Sequence, residues 1–88
     1  MLARRPLIAG NWKMNGSLAL VDEFARYIAA IGLPQNVTIV LFPPVVYLDA
    51  LARALQGCPI QLGAQTGHGE AAGAFTGEIA PEMIRDLG

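Results

Sequence analysis

Apolar residues in this chain fall into two patterns, continuous runs and stripes that recur every three or four positions. The runs are PLIAGNW at 6–12, VTIVLF at 37–42 and PIQLGAQ at 59–65. Short runs of this kind, separated by proline, glycine and polar residues, predict three β-strands. The second run is apolar at nearly every position and rich in β-branched residues, which is expected of a strand that is covered on both faces.

The segments between the runs have the spacing of amphipathic helices. The first stripe lies within residues 17–32 and consists of Leu20, Phe24, Ile28 and Ile31. The second lies within residues 44–57 and consists of Val45, Leu48, Leu51, Ala52 and Leu55. Ser17 is suited to cap the first helix, while Gly32 and Gly57 are suited to end the first and the second.

A third helix is predicted to begin at Pro81, because proline favours the first turn and Glu82 beside it complements the helix dipole. The order is then strand, helix, strand, helix, strand, loop, helix. Strands that are joined through helices predict a parallel sheet with the helices packed on its outer face. We therefore expect one α/β domain over residues 1–88, without an internal linker.

Composition and charge narrow the classes of function. The chain is 53% hydrophobic and 15% charged with a formal net charge of −1, and its scattered basic residues do not suggest a nucleic-acid partner. The longest apolar stretch, VTIVLFPPVVYL, contains two prolines and is too short to cross a bilayer. One cysteine and one histidine cannot build a four-ligand metal site. We expect a cytoplasmic chain without a membrane or nucleic-acid partner.

Candidate chemistry lies at the end of the first predicted strand. Alternation of side chains places four residues on one face, namely Leu7, Ala9, Asn11 and Lys13. That face becomes polar at the carboxyl end of the strand, which is where parallel α/β folds bind ligands. Lys13 is the only lysine in the chain. Two interpretations remain open, a surface lysine that reaches into solvent and a fixed ammonium that binds an anion such as a substrate phosphate.

Four stretches carry a resemblance to a known family. They are AGNWKMNG at 9–16, FPPVVYL at 42–48, LGAQ at 62–65 and GAFTGEIAPEMIRDLG at 73–88. In this order and at these separations they resemble the amino-terminal portion of triosephosphate isomerase, and the resemblance covers the whole chain. It implies a partial (β/α)8 TIM barrel, in which the chain corresponds to the first third of a fold of about 250 residues.

The resemblance also implies a reaction. The family interconverts dihydroxyacetone phosphate and glyceraldehyde 3-phosphate by proton transfer through an enediolate, in glycolysis and gluconeogenesis, without a metal or organic cofactor. Asn11 resembles the asparagine that helps to hold this small phosphorylated triose. Lys13 resembles the lysine that contacts the substrate and stabilises the negative charge of the enediolate and the phosphate.

The loop after the third predicted strand contains four glycines between residues 66 and 78. Its composition is compatible with a flexible surface loop or a phosphate cradle, but GHGEAAG departs from the dinucleotide fingerprint by one residue. The apolar Phe75 favours instead a loop that is buried in a contact. The resemblance assigns the loop to the interface of a homodimer, with a tip formed by Phe75, Thr76, Gly77 and Glu78 and with Gln65 at the loop base.

Two catalytic groups of the family are not expected among these residues. The family's histidine follows the fourth strand and its glutamate base lies at a later strand, so His68 and the glutamates of this chain are not assigned those roles. Three hypotheses follow. The first is that the chain is the amino-terminal part of an isomerase and is inactive alone. The second, which is compatible with the first, is that it is a non-catalytic fragment that self-associates through sheet edges and an open sheet face. The third is an unrelated α/β phosphate-binding module.

Overall fold

Strands and helices alternate along the chain in the predicted order. The computed structural model describes residues 4–88, so the first three residues of the predicted domain lie outside the described part. The elements are β1 (Leu7–Asn11), α1 (Leu18–Ile31), β2 (Thr38–Phe42), a 3-10 turn (Val45–Tyr47), α2 (Leu48–Ala54), β3 (Gln61–Leu62) and α3 (Pro81–Arg85). Within residues 4–88, no helix is long and apolar enough to span a bilayer.

The three strands form one parallel sheet in the order β1-β2-β3, which confirms the predicted α/β arrangement. Leu7 pairs with Thr38 and Asn11 with Phe42, so β1 and β2 are aligned along their whole length. The third strand is shorter than the predicted range 59–65. At its carboxyl end the reason lies in β2, because Pro43 and Pro44 follow that strand directly and proline has no N–H for the ladder.

The core lies between the sheet and the first two helices. Helix α1 contributes Val21, β2 contributes Leu41 and α2 contributes Leu51. Leu55, directly after α2, and Ile60, directly before β3, complete it. Leu51 has no exposed surface, and burial of a leucine side chain contributes about 1.5–3 kcal/mol. The face of the sheet that carries Leu41 is therefore the covered face.

Helix α1 begins and ends where the sequence predicts, but its buried face is rotated. Ser17 Oγ accepts a hydrogen bond from the backbone N–H of Leu20 at 3.0 Å, and Gly32 ends the helix with a φ of 72°. Val21 is buried, whereas Leu20 is 39% exposed and Ile31 is 58% exposed. The predicted stripe was wrong at those two positions, because contact with α2 and the sheet favours the side of the helix that carries Val21.

Helix α2 begins later than the predicted stripe, because the segment before Leu48 is not α-helical. Pro44 has an extended backbone, and a 3-10 turn over Val45–Tyr47 precedes the helix. Leu48, Leu51 and Leu55 are buried as predicted, but Val45 is 43% exposed and was wrongly placed in the stripe. The tighter turn directs Val45 away from the core before the α-helical spacing begins.

The molecule is a flat slab. Its principal extents are 43 × 40 × 21 Å and its radius of gyration is 14.6 Å, compared with about 12 Å for a compact chain of this length. Its accessible surface is 6740 Å², compared with roughly 5,000 Å² for a compact monomer of this mass. Leu7 and Ile8 are both more than half exposed, so β1 is exposed on its two faces.

The core predicts a matched pair of substitutions. Leu51→Ala removes a fully buried side chain and is expected to lower the free energy of unfolding by about 2–5 kcal/mol. Leu18→Ala removes the same atoms from a side chain that is 66% exposed, and it is expected to change stability by less than about 0.5 kcal/mol. Urea unfolding followed by circular dichroism measures both, and equal losses would contradict the assignment of the core.

Candidate functional site

The chain changes direction where β1 ends. The backbone N–H of Trp12 donates to the carbonyl oxygen of Phe42 at 3.1 Å, which is the last bond along this edge. Lys13 then has a φ of 56° and is the only residue other than glycine with a positive φ within residues 4–88. The predicted alternation therefore holds as far as Asn11 and was wrong at Lys13, because a left-handed residue does not continue a strand.

Asn11 and Lys13 are joined by a local turn. The side-chain oxygen of Asn11 accepts a hydrogen bond from the backbone N–H of Lys13 at 2.8 Å, which is the Asx geometry that asparagine favours in turns. This bond uses the acceptor end of the Asn11 amide and leaves its nitrogen with two N–H donors. Both side chains are exposed at the carboxyl end of the sheet.

Gln65 connects this turn to the end of β2. Its side-chain nitrogen donates to the carbonyl oxygen of Lys13 and to the carbonyl oxygen of Phe42, each at 2.8 Å. An amide nitrogen carries two hydrogens, so both are used. One side chain from the loop after β3 thus holds the chain at the ends of β1 and β2.

The energetics of Lys13 are balanced. The left-handed conformation costs a non-glycine residue about 1–2 kcal/mol. Its N–H is bonded by Asn11 and its carbonyl by Gln65, and a hydrogen bond contributes about 0.5–1.5 kcal/mol net. Together the two bonds contribute about 1–3 kcal/mol, which is of the same size as the cost.

Aromatic packing fixes the rest of this turn. The rings of Trp12 and Phe24 meet edge to face, with centroids 6.0 Å apart. Gly16 has a φ of 138°, and a Cβ there would lie 3.1 Å from the ring of Tyr47 and 3.4 Å from that of Trp12. The segment after β1 is thus held against α1 and the 3-10 turn. In the sequence Trp12 stands out only as part of a motif, and no local pattern indicates its contact with Phe24.

The charge of Lys13 is directed to solvent. The two ion pairs found within residues 4–88 join Arg26 to Asp22 at 2.9 Å and Arg53 to Asp49 at 3.0 Å. Each pair joins exposed residues one turn apart on the same helix, the first on α1 and the second on α2, and such pairs are worth little to stability. Lys13 takes part in neither, so its ammonium is not neutralised by either pair.

The loop after β3 is packed upon itself. The backbone N–H of His68 donates to the carbonyl oxygen of Ile79 at 2.8 Å and closes the loop. Within it the rings of His68 and Phe75 lie with centroids 4.2 Å apart, and His68 Nδ1 accepts a hydrogen bond from the N–H of Glu70 at 3.0 Å. The imidazole of His68 therefore serves the loop itself.

The predicted loop tip is a tight turn. The N–H of Glu78 donates to the carbonyl oxygen of Phe75 at 3.1 Å, which leaves Thr76 and Gly77 as its central residues. Gly77 has a φ of 85°, as the third residue of a type II turn requires. Phe75 is 47% exposed, so about half of its surface is already covered by its own loop.

The predicted site residues thus form two groups. Asn11, Lys13 and Gln65 are brought together by hydrogen bonds at the ends of the strands. The residues of the turn at 75–78 form a second group on the packed loop. Gln65 was predicted only at the base of that loop. Its bond to Lys13 spans 52 positions, so no local pattern indicates it.

Comparison with known proteins gives one consistent family. A family model described as triosephosphate isomerase matches residues 6–88. The triosephosphate isomerase of Chromohalobacter salexigens is 55% identical over 84 residues, which cover 96% of this chain and 34% of that protein. Those of Pseudomonas fluorescens and Clostridium novyi are each 44% identical, with 97% of this chain and 34% of the relative covered. This chain spans about a third of the length of these curated relatives.

The turn at the loop tip predicts a contrast between two glycines. Gly77→Ala places a side chain at a φ of 85°, and it is expected to destabilise the turn by about 1–2 kcal/mol. Gly69→Ala introduces a methyl group where no atom lies within 4 Å and the φ is not left-handed, and it is expected to be neutral or slightly stabilising. Hydrogen exchange of the Glu78 amide measures the difference, and equal protection in the two variants would contradict the turn.

Proposed function

Because this chain belongs to the triosephosphate isomerase family, we propose that it supplies part of an active site that interconverts dihydroxyacetone phosphate and glyceraldehyde 3-phosphate. The observation that carries the proposal is the group at the ends of the strands, where the backbone of Lys13 is held by Asn11 and Gln65. A strained residue that is held from both sides is typical of a functional position.

Lys13 is proposed to stabilise negative charge. The isomerisation passes through an enediolate, so the reacting part of the substrate gains negative charge while its phosphate is already anionic. An ammonium at a fixed place stabilises such charge most in a site from which water is excluded. Lys13 is exposed in this chain, and we propose that the substrate and the rest of a closed barrel provide that exclusion.

Asn11 is proposed to assist in holding the substrate. Its side-chain oxygen is already bonded to the N–H of Lys13, so its nitrogen is the end that can donate to the substrate. Two donors and one cation then converge on the same small anionic molecule, which is the chemistry that phosphate recognition requires. Neither group needs a metal or an organic cofactor.

Proton transfer needs further groups. A general base and an acid must reach the substrate, and within this chain no glutamate or histidine occupies a position that matches the family's catalytic pair. His68 is engaged with Phe75 and Glu70 in its own loop. We therefore propose that residues 1–88 alone do not catalyse the isomerisation and that the complete site includes groups outside this chain.

Self-association is proposed as a second property. The chain exposes roughly 1,700 Å² more than a compact monomer of its mass, which exceeds the approximately 800 Å² that a partner contributes to a typical interface. Phe75 and its ordered turn suit a loop that inserts into a second subunit, and Gln65 lies at the base of that loop. We propose a homo-oligomer formed through Phe75, Thr76, Gly77 and Glu78.

The proposed activity predicts the effect of one substitution. A hybrid is made in which this chain replaces the matching third of the Chromohalobacter salexigens isomerase, and Lys13→Met removes the charge while keeping most of the apolar stem. Loss of one well-placed donor costs roughly 3–4 kcal/mol in the transition state, so kcat/KM of the hybrid is expected to fall by a factor of about 10²–10³. Steady-state assay of the isomerisation measures it.

Two controls accompany that assay. Arg26→Met removes a cation from the outer surface of α1 and is expected to leave kcat/KM unchanged. The pure 88-residue chain is expected to show no turnover above the uncatalysed rate. A folded hybrid without activity, or a Lys13→Met hybrid with full activity, would contradict the proposed role of Lys13.

The proposed oligomer predicts a change in sedimentation. At micromolar concentration the chain is expected to sediment as a discrete oligomer, and Phe75→Ser combined with Thr76→Asp is expected to dissociate it. Because Phe75 also packs on His68, Thr76→Asp alone is measured as well. Tyr27→Ser combined with Ala30→Asp introduces the same two residues, serine and aspartate, on the exposed side of α1 and is expected to have no effect. A monomeric wild-type chain would contradict self-association, and an oligomer that survives all variants would assign it to the sheet.

A further inference from the structure

We infer that Gln65 is a positioning residue that fixes the main chain of Lys13 and thereby the place to which its ammonium is delivered. This inference rests on the proposed function, because it concerns how the charge of Lys13 is directed. It adds to the role at the loop base that sequence analysis assigned to Gln65. The group that acts is the side-chain nitrogen of Gln65, which contacts the backbone of Lys13 and not its ammonium.

Gln65 links the segments that follow β1, β2 and β3, through two side-chain hydrogen bonds and its own position after β3. Its nitrogen donates to the carbonyl oxygens of Lys13 and Phe42, both at 2.8 Å. Gln65 itself follows β3, whose ladder to β2 ends with the bond from Gly63 N–H to the carbonyl of Leu41. The paired strands therefore hold the side-chain amide of Gln65 in place, and its bond to the carbonyl oxygen of Lys13 restrains the less regular turn there.

The turn at Lys13 needs such a restraint. A lysine at a φ of 56° is not in its preferred backbone region, and the ordinary alternatives have a φ between about −60° and −160°. Rotation to those values would swing the Cα–Cβ bond away from its present direction. The flexible four-carbon stem would then deliver the ammonium to a different place.

Asn11 alone does not define this geometry. Its side-chain oxygen holds the N–H of Lys13, but that bond leaves the next peptide group free to rotate. Gln65 holds the carbonyl on the other side of the same residue. The backbone of Lys13 is thus fixed on both sides of its Cα only when both amides are present.

The result at the site is a fixed direction for the Cα–Cβ bond from which the ammonium of Lys13 is delivered. Displacement of a catalytic group by about 1 Å can lower a rate by about 10²-fold. Gln65 touches no reacting atom in this arrangement, so its effect on the reaction passes through Lys13. Loss of Gln65 is therefore expected to affect the chemical step more than the binding of substrate.

The test uses Gln65→Met in the hybrid described above. Methionine keeps the length of the side chain and removes both N–H donors. In its crystal structure the φ of Lys13 is expected to become negative, and kcat is expected to fall at least about tenfold with a smaller change in KM. Gln56→Met makes the same substitution at an exposed position after α2 and is expected to leave the φ of Lys13 and kcat unchanged.

A double variant separates positioning from a merely structural role. If Gln65 acts through Lys13, the addition of Gln65→Met to Lys13→Met lowers kcat no further, whereas independent effects would multiply. A φ of Lys13 that stays near 56° in the Gln65→Met protein overturns the inference, as does a kcat within about twofold of the unsubstituted hybrid. Multiplying losses in the double variant overturn it as well.

These outcomes differ from a failure of the proposed function. That failure is an inactive hybrid or an active Lys13→Met hybrid, while the φ of Lys13 is read from the structure without any activity. If Gln65→Met does not yield folded protein, Gln65→Asn is used. Its amide is one methylene shorter and cannot reach both carbonyl oxygens, so the same change in φ is expected, and an unchanged φ overturns the inference.

Discussion

The three parallel strands end at the same level, and the hydrogen bonds that align them also build the candidate site. Asn11 pairs with Phe42, the N–H of Trp12 bonds to the carbonyl of Phe42, and Gly63 bonds to Leu41. A shift of one residue would turn each side chain to the opposite face of its strand. Asn11 would then face the helices, and the carbonyl of Phe42 would no longer lie within reach of the loop after β3.

Because the strand ends are aligned, the side chains of Asn11 and Gln65 can stabilise the strained backbone of Lys13. The conformational cost at Lys13 is offset by two hydrogen bonds of similar total free energy. One comes from Asn11 at the end of β1, and the other comes from Gln65 after β3. The site therefore depends on the sheet, because Gln65 reaches Lys13 only while β3 stays paired with β2. A local turn motif without the sheet would supply the bond from Asn11 alone.

The loop after β3 and strand β1 are both exposed, but they present different kinds of surface to a partner. The loop after β3 is closed by His68 and Ile79 and contains a hydrogen-bonded turn, so it presents one defined shape to a partner. The exposed strand β1 presents a row of backbone groups and apolar side chains, including Leu7 and Ile8. An ordered, self-complementary contact closes on itself, whereas pairing of strand edges does not.

Local sequence accounts for the order of the elements, the cap at Ser17, the end of α1 at Gly32 and the start of α3 at Pro81, because each depends on residues within a few positions. It also determined the family, through motifs that stay together along the chain. Tertiary structure decided that Val21 is buried instead of Leu20, since the position of α2 selects the buried side of α1. It decided the geometry of Lys13 as well, because Gln65 lies 52 residues away and only the paired strands bring the two together.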